Sequence, residues 1–144
     1  LLAGICLVLS GLSLLLFQPP GQIAMVWGTN AVAAGLILRW DYVALASRLA
    51  TAFLAILAAN LMFGGGLAVS VGLSLANAAE ISFAVLVLRL LHWRPTAPLS
   101  VPSFLLAVLV AGVAAPFVGA VIGAEVMHVL FATPFVQVAM TWWA

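Results

Sequence analysis

The chain has no lysine, one cysteine and one tyrosine, and only three acidic residues, Asp41, Glu80 and Glu125, among 144. Each scarcity excludes something. Charged residues make up 5% and apolar residues 67%, whereas soluble domains carry about 25% charged residues and less than about 50% apolar ones. A water-soluble core cannot absorb this much apolar side chain, so the composition is that of a membrane protein. The four arginines form no basic cluster, and a net charge of +1 gives no electrostatic footprint for nucleic acid. Cys6 cannot form an internal disulfide and reads as a small buried apolar residue. No nucleotide loop, nucleophile elbow or catalytic triad is present, and "GGG" at 64–66 reads as a turn. No catalytic residue and no cofactor is expected.

Long apolar runs are what the chain does have. Five can be drawn, at about Leu1–Phe17, Ile23–Leu38, Val43–Phe63, Leu67–Leu91 and Phe104–Leu130, with a sixth starting near Pro134. The breaks are "QPPGQ", "RWDY", "GGG", the proline-containing loop "HWRPTAPLSVPS" and "FATP". The runs are continuously apolar and lack the alternation of barrel strands, so they predict helices. Pro116 lies inside the fifth and predicts a kink. The expected fold is all-α: a polytopic transmembrane helix bundle of five full helices plus the start of a sixth. Leu1–Phe17 has no basic n-region and no small-residue cleavage site, so it reads as a membrane helix rather than a signal peptide. Pro134 to Ala144 is 11 residues, and a spanning helix needs about 20. The region 1–144 is therefore expected to be incomplete at both ends, with a larger protein continuing past Ala144.

The arginines predict orientation. Arg39 and Arg48 flank one turn, and Arg89 and Arg94 flank the loop two crossings later. The other connections carry none. The positive-inside rule makes the arginine side cytoplasmic and places the N-terminus there too. Trp40 and Trp93 then fall at the inner interface, with His92 beside them.

The same frame gives depths. Asn30 precedes Arg39 by nine residues, and Glu80 precedes Arg89 by nine. On parallel helices both lie about 13 Å above their arginine, near the bilayer midplane. Asn77 is one turn from Glu80 on the same face, and Asn60 lies nearer the outer side. An acid at this depth is costly unless it faces the bundle, meets water or a partner, or takes up a proton. Asn30, Asn77 and Glu80 are therefore expected to form a polar interior seam. Two readings stand for it: a signal or ligand site, or a set of interhelical clamps worth about 1 kcal/mol or less each. The clamp reading suits Asn30 and Asn60 better than Glu80, because a buried carboxyl costs more than a clamp requires.

"GAEVMHVL" supplies a second pair, Glu125 and His128, three apart on one face. Glu-x-x-His is a ligand spacing of di-iron bundles, but such sites need two motifs and two further glutamates. Only Glu80 remains, so no metal is expected. The pair is either an outer-side element reading pH through His128 or an interfacial cap. Gly, Ala and Ser recur at three- and four-residue spacing in "GLAVSVGLSLANAA" and "AGVAAPFVGAVIGA", as on closely packed membrane helices.

Four stretches, "QPPGQIAMVWGTNAVAAGLILR", "ILAANLMFGG", "LANAAEISFAVLVLRLLHW" and "FVQVAMTWW", together resemble the membrane-associated sensor (MASE) domain family, type one. Their order and spacing cover nearly the whole chain. The Asn-x-x-Glu before a Leu-Arg end and a proline-containing loop is the most specific part, and Trp27 with Asn30 supports it. The chain departs from the family at Gly28, where a proline is usual after the tryptophan. It also departs at Trp142–Trp143–Ala144, after which the family continues for about two helices. The resemblance implies a multi-pass sensory input module in the bacterial inner membrane. It implies a cytoplasmic histidine kinase or diguanylate cyclase output, a homodimer formed through that output, and an undefined small ligand or membrane partner besides the lipid bilayer. Two other classes fit the residues: a small membrane transporter component, and a non-catalytic assembly subunit of a membrane complex.

Overall fold

The computed structural model describes residues 1–17, 28–39, 44–63, 66–93 and 100–143. Every regular element among them is helical. In chain order these are α1 (Leu2–Phe17), α2 (Thr29–Leu38), α3 (Leu45–Met62), α4 (Leu67–Leu90), α5 (Val101–Leu109), α6 (Ala115–Phe131) and α7 (Phe135–Trp143). A π-helical turn, Val110–Ala114, joins α5 to α6. Three units are long and apolar enough to cross a membrane: α3 with 18 residues, α4 with 24, and the joined Val101–Phe131 with 31. The helices α1 and α2 are apolar but shorter, at 16 and 10 residues. The expected start of the second helix at Ile23 lies outside the described residues. So do Trp27, Trp40, Asp41, Arg94 and the "QPPGQ" turn.

The fifth predicted helix departs from expectation at two places. It starts at Val101, three residues before the expected Phe104. Ser100 sets this start, its Oγ accepting the Ser103 N–H at 3.3 Å, while Pro102 sits in the first turn where no N–H donor is needed. The disturbance at Pro116 is a widened turn. Pro116 has no N–H to donate and its ring crowds the preceding turn, so the Ala115 N–H bonds the Val110 carbonyl, five residues back. A straight helix of this length would run about 46 Å against a hydrocarbon core of about 30 Å. Such a unit fits a bilayer only when tilted or bent.

The end of α4 is closed by its own backbone. His92 takes a left-handed φ of 56°, its N–H bonds the Arg89 carbonyl at 2.9 Å, and the Trp93 N–H bonds the Leu88 carbonyl at 2.9 Å. This pair of bonds satisfies carbonyls that a helix end otherwise leaves open. His92, read from sequence as an interfacial loop residue, is thus the helix-terminating position.

The packing is turned inside out relative to a soluble domain. Its buried apolar residues are mostly small: Cys6, Ala33, Ala34, Ala52, Ala59, Ala76 and Ala124, with Ile37, Ile56, Ile81 and Leu88 filling the gaps. Large side chains face outward, among them Leu54, Met62, Leu67, Leu90, Phe104 and Phe117. Water would penalise that surface, whereas lipid tails are as apolar as leucine and do not. The small interior side chains let helix backbones approach closely, and dispersion contacts then hold the bundle. The central helix is α4, which packs against α2, α3, α6 and the π-helical turn.

Candidate functional site

The outer-facing side chains of α4 are apolar, but the face it turns inward is polar along its first half. Ser70, Ser74, Asn77 and Glu80 are all buried there. Their spacings of four, three and three residues place them on one stripe of the helix. Three neighbouring helices meet that stripe with polar partners or with no side chain at all.

The first partner comes from α2. Asn30 lies one residue into that helix and is 3% exposed. Its Nδ2 donates to Asn77 Oδ1 at 2.6 Å. Asn77 is set up to accept because its own Nδ2 donates to the Leu73 carbonyl at 2.8 Å, one turn back on α4. The Asn30 side chain also hydrogen-bonds the Glu80 carboxyl. Asn30 therefore bridges two α4 residues that lie one turn apart. Beside it, the buried Ser10 Oγ of α1 donates to Thr29 Oγ1 at 3.3 Å.

Two contacts fix the register of α2 on α4. Asn30 meets Asn77 at one level. Seven residues on, the Ile37 carbonyl accepts from Arg89 Nη2 at 3.1 Å. Both contacts advance in the same direction, so α2 and α4 run parallel. That is the arrangement in which equal spacings to Arg39 and Arg89 bring Asn30 and Glu80 to one depth.

From α3, Asn60 Nδ2 donates to Ser74 Oγ at 3.1 Å. Asn60 thus sits one turn away from the Asn30 cluster along α4 and belongs to the same stripe. The Ser70 hydroxyl, one turn further still, is buried and has no hydrogen-bond partner among the described residues.

From α6 comes an absence of side chain. Gly119 is buried against Glu80, and a Cβ built there would lie 2.6 Å from the Glu80 Oε2, 3.3 Å from its Cβ and 3.4 Å from its Cδ. The carboxyl occupies the space that any other residue would fill. A second glycine works the same way in the opposite direction. Gly72 of α4 faces Val126 of α6, and a Cβ at 72 would overlap the valine methyls. The α4–α6 interface is therefore keyed by one glycine from each helix.

The other predicted pair is not assembled. Glu125 and His128 are both exposed, and among the described residues no hydrogen bond or ion pair joins them. His128 Nδ1 instead lies 2.7 Å from the Thr133 carbonyl, beyond the end of α6, where Ala132 takes a left-handed φ of 52°. Glu125 instead borders an apolar groove of about 640 Å³ between the start of α4, the second half of α6 and Phe135 of α7. No group of three or more His, Cys, Asp or Glu comes together among the described residues.

Ser10, Thr29, Ser74 and Gly119 were not foreseen as parts of the seam. Serine and glycine are common packing residues in membrane helices, so their presence carried no signal of its own. What could have found them is position: Ser74 lies three residues before Asn77, and Gly119 lies on the small-residue face of "AGVAAPFVGAVIGA". Comparison with family models, with curated proteins and with solved structures finds no match to the chain.

Proposed function

We propose that this chain is a membrane-integral sensory input domain whose buried seam, Asn30, Asn77 and Glu80, reads a signal arising in the membrane or at its outer face. The observation that carries this reading is the bridge itself. A carboxyl inside an all-helical apolar bundle is costly, and one asparagine holding both it and a second amide ties the start of α2 to α4 through a single set of bonds. Such a unit has a natural alternative state. A ligand or a change of charge that competes for the Asn30 bonds loosens the start of α2 on α4, and it shifts the packing only if it favours one arrangement over the other. The four stretches that resemble the type-one membrane-associated sensor domains support the same reading.

In this proposal the chain crosses the bacterial inner membrane five times, begins a sixth crossing, and keeps both arginine-bearing connections in the cytoplasm. The last helix passes the rearrangement to a cytoplasmic histidine kinase or diguanylate cyclase. Fusions of alkaline phosphatase and β-galactosidase after Phe63 and after His92 test the topology. Phosphatase activity is expected only at the first site, and the reverse pattern overturns the orientation.

The functional test is Glu80→Gln in the full-length protein. It keeps the size of the side chain and removes its capacity for charge. Output activity and its response to stimulus are expected to lock in one state. If both are unchanged, the seam is not the switch and the clamp reading takes its place.

A further inference from the structure

The seam joins α2 to α4, yet α2 is not the helix that leads onward. The contact from the seam to α6, which packs against α7, is the one between Glu80 and Gly119. We propose that Gly119 is the positioning residue of this site: it seats the Glu80 carboxyl against the α6 backbone and so couples the seam to α6 and α7. This rests on the sensory reading of the seam and names the element through which the seam would act.

Three observations carry it. First, the fit is tight at the carboxyl itself, since Oε2 is the atom nearest to an added Cβ. A side chain added at 119 would therefore meet the carboxyl before any other group. Second, not every glycine on this unit is constrained. Gly112, one to two turns earlier, would place a Cβ no closer than 3.8 Å to Val108 Cγ1, an ordinary contact. The constraint at Gly119 is therefore not shared by Gly112, although α4 and α6 meet closely again where Gly72 faces Val126. Third, α6 has a built-in place to yield. The π-helical turn Val110–Ala114 and Pro116 lie immediately before Gly119. A π-helical turn holds one residue more than an α-helical turn, and its loss rotates everything beyond it by about 100°. Such a rotation would replace Gly119 opposite the carboxyl by Val118 or Ala120, each bearing a Cβ that the carboxyl must move to admit. With the carboxyl seated on Gly119, α6 is held in the register that the π-helical turn sets.

The experiment uses the full-length protein in lipid nanodiscs, with Gly119→Ala, Gly112→Ala, Glu80→Gln, Glu80→Ala and the double variant Glu80→Ala/Gly119→Ala. Two quantities are read: the infrared carboxyl stretching band of Glu80, identified by its loss in Glu80→Gln, and output activity. Gly119→Ala is expected to displace the Glu80 band and change output, while Gly112→Ala moves neither. In the Glu80→Ala background the Gly119→Ala change is expected to have little further effect on output, because Oε2, the nearest clashing atom, and Cδ are gone and only the Cβ at 80, at 3.3 Å, remains. If Gly119→Ala does not accumulate in membranes, accumulation restored by the double variant supports the contact, and a double variant that still fails where Glu80→Ala alone folds overturns it. An unmoved band with unchanged output in Gly119→Ala, beside an altered Glu80→Gln, overturns the coupling and leaves the sensory reading of the seam standing. A displaced band in Gly119→Ala with unchanged Glu80→Gln output removes the sensory reading, and the coupling falls with it.

Discussion

The two halves of α4 are buried to a similar degree but by different chemistry. The part up to Glu80 turns Ser70, Ser74, Asn77 and Glu80 inward beside Gly72 and Ala76, and the part beyond it turns Ile81, Ala84, Val85 and Leu88 inward. The polar half meets its neighbours through directed bonds and a glycine seat. The apolar half meets them through undirected contact, closed at its end by Arg89 on the Ile37 carbonyl. The difference bears on what each half can do. Undirected packing tolerates small shifts of register, whereas a bridge from one asparagine to two α4 residues exists at one register only. The polar half is therefore the half that can specify a state, and the apolar half is the half that holds the helices close.

Substitutions can break that comparison. The largest effect is expected at Gly72, where α4 and α6 nearly touch. Gly72→Leu forces the helices apart and should cost about 3 kcal/mol or prevent folding, read by denaturation in mixed micelles. An unchanged midpoint would mean that the interface is looser than its geometry. Next is Ile81→Ala in the apolar half. In a bilayer the unfolded reference keeps this side chain in lipid, so much of the transfer contribution drops out and a cavity contribution remains. The expected loss is about 2 kcal/mol, at the low end of the range in water-soluble cores. A loss near the top of that range, about 5 kcal/mol, would place the surroundings of α4 in water rather than lipid.

Smaller effects sharpen the polar half. Asn30→Ala removes both bonds of the bridge and leaves Asn77 Oδ1 and Glu80 buried without that donor. A loss of about 1–2 kcal/mol is expected, together with faster amide hydrogen exchange at the start of α2. Exchange that is unaltered there would argue that α2 is held by packing alone. The smallest is Ser74→Ala, which leaves Asn60 Nδ2 without its acceptor. Interhelical bonds in membranes average about 0.6 kcal/mol, and a shift of that order in thermal unfolding is expected. A loss comparable to Asn30→Ala would mean that the polar stripe holds α3 as firmly as it holds α2.

Much of this was legible in the residues because the bilayer imposes simple rules. Helix type followed from continuous apolar runs, since lipid offers no partner for an unpaired backbone. The common depth of Asn30 and Glu80 followed from equal spacing to an arginine on two parallel helices. The residues left open what depended on a neighbour in space. Glu125 and His128 share a helix face and could form a pair or an interfacial cap, and only the structure shows the histidine against the Thr133 carbonyl at the end of α6. Pro116 predicted a kink, and the structure places a π-helical turn, Val110–Ala114, just before it, because how a helix accommodates a proline depends on what the neighbouring residues pack against.

The sequence by itself determined an all-helical chain, apolar beyond what a soluble fold can bury, with a few polar groups at matched depths. Those properties depend on composition and on distance along a single helix axis, which residue number measures directly. Only the tertiary structure decided that Asn30 bridges Asn77 and Glu80, that Asn60 meets Ser74, and that a glycine of α6 makes room for the carboxyl. Those properties depend on the rotation of each helix about its axis and on the approach of one backbone to another. Both are set by the fit of all the neighbouring side chains at once.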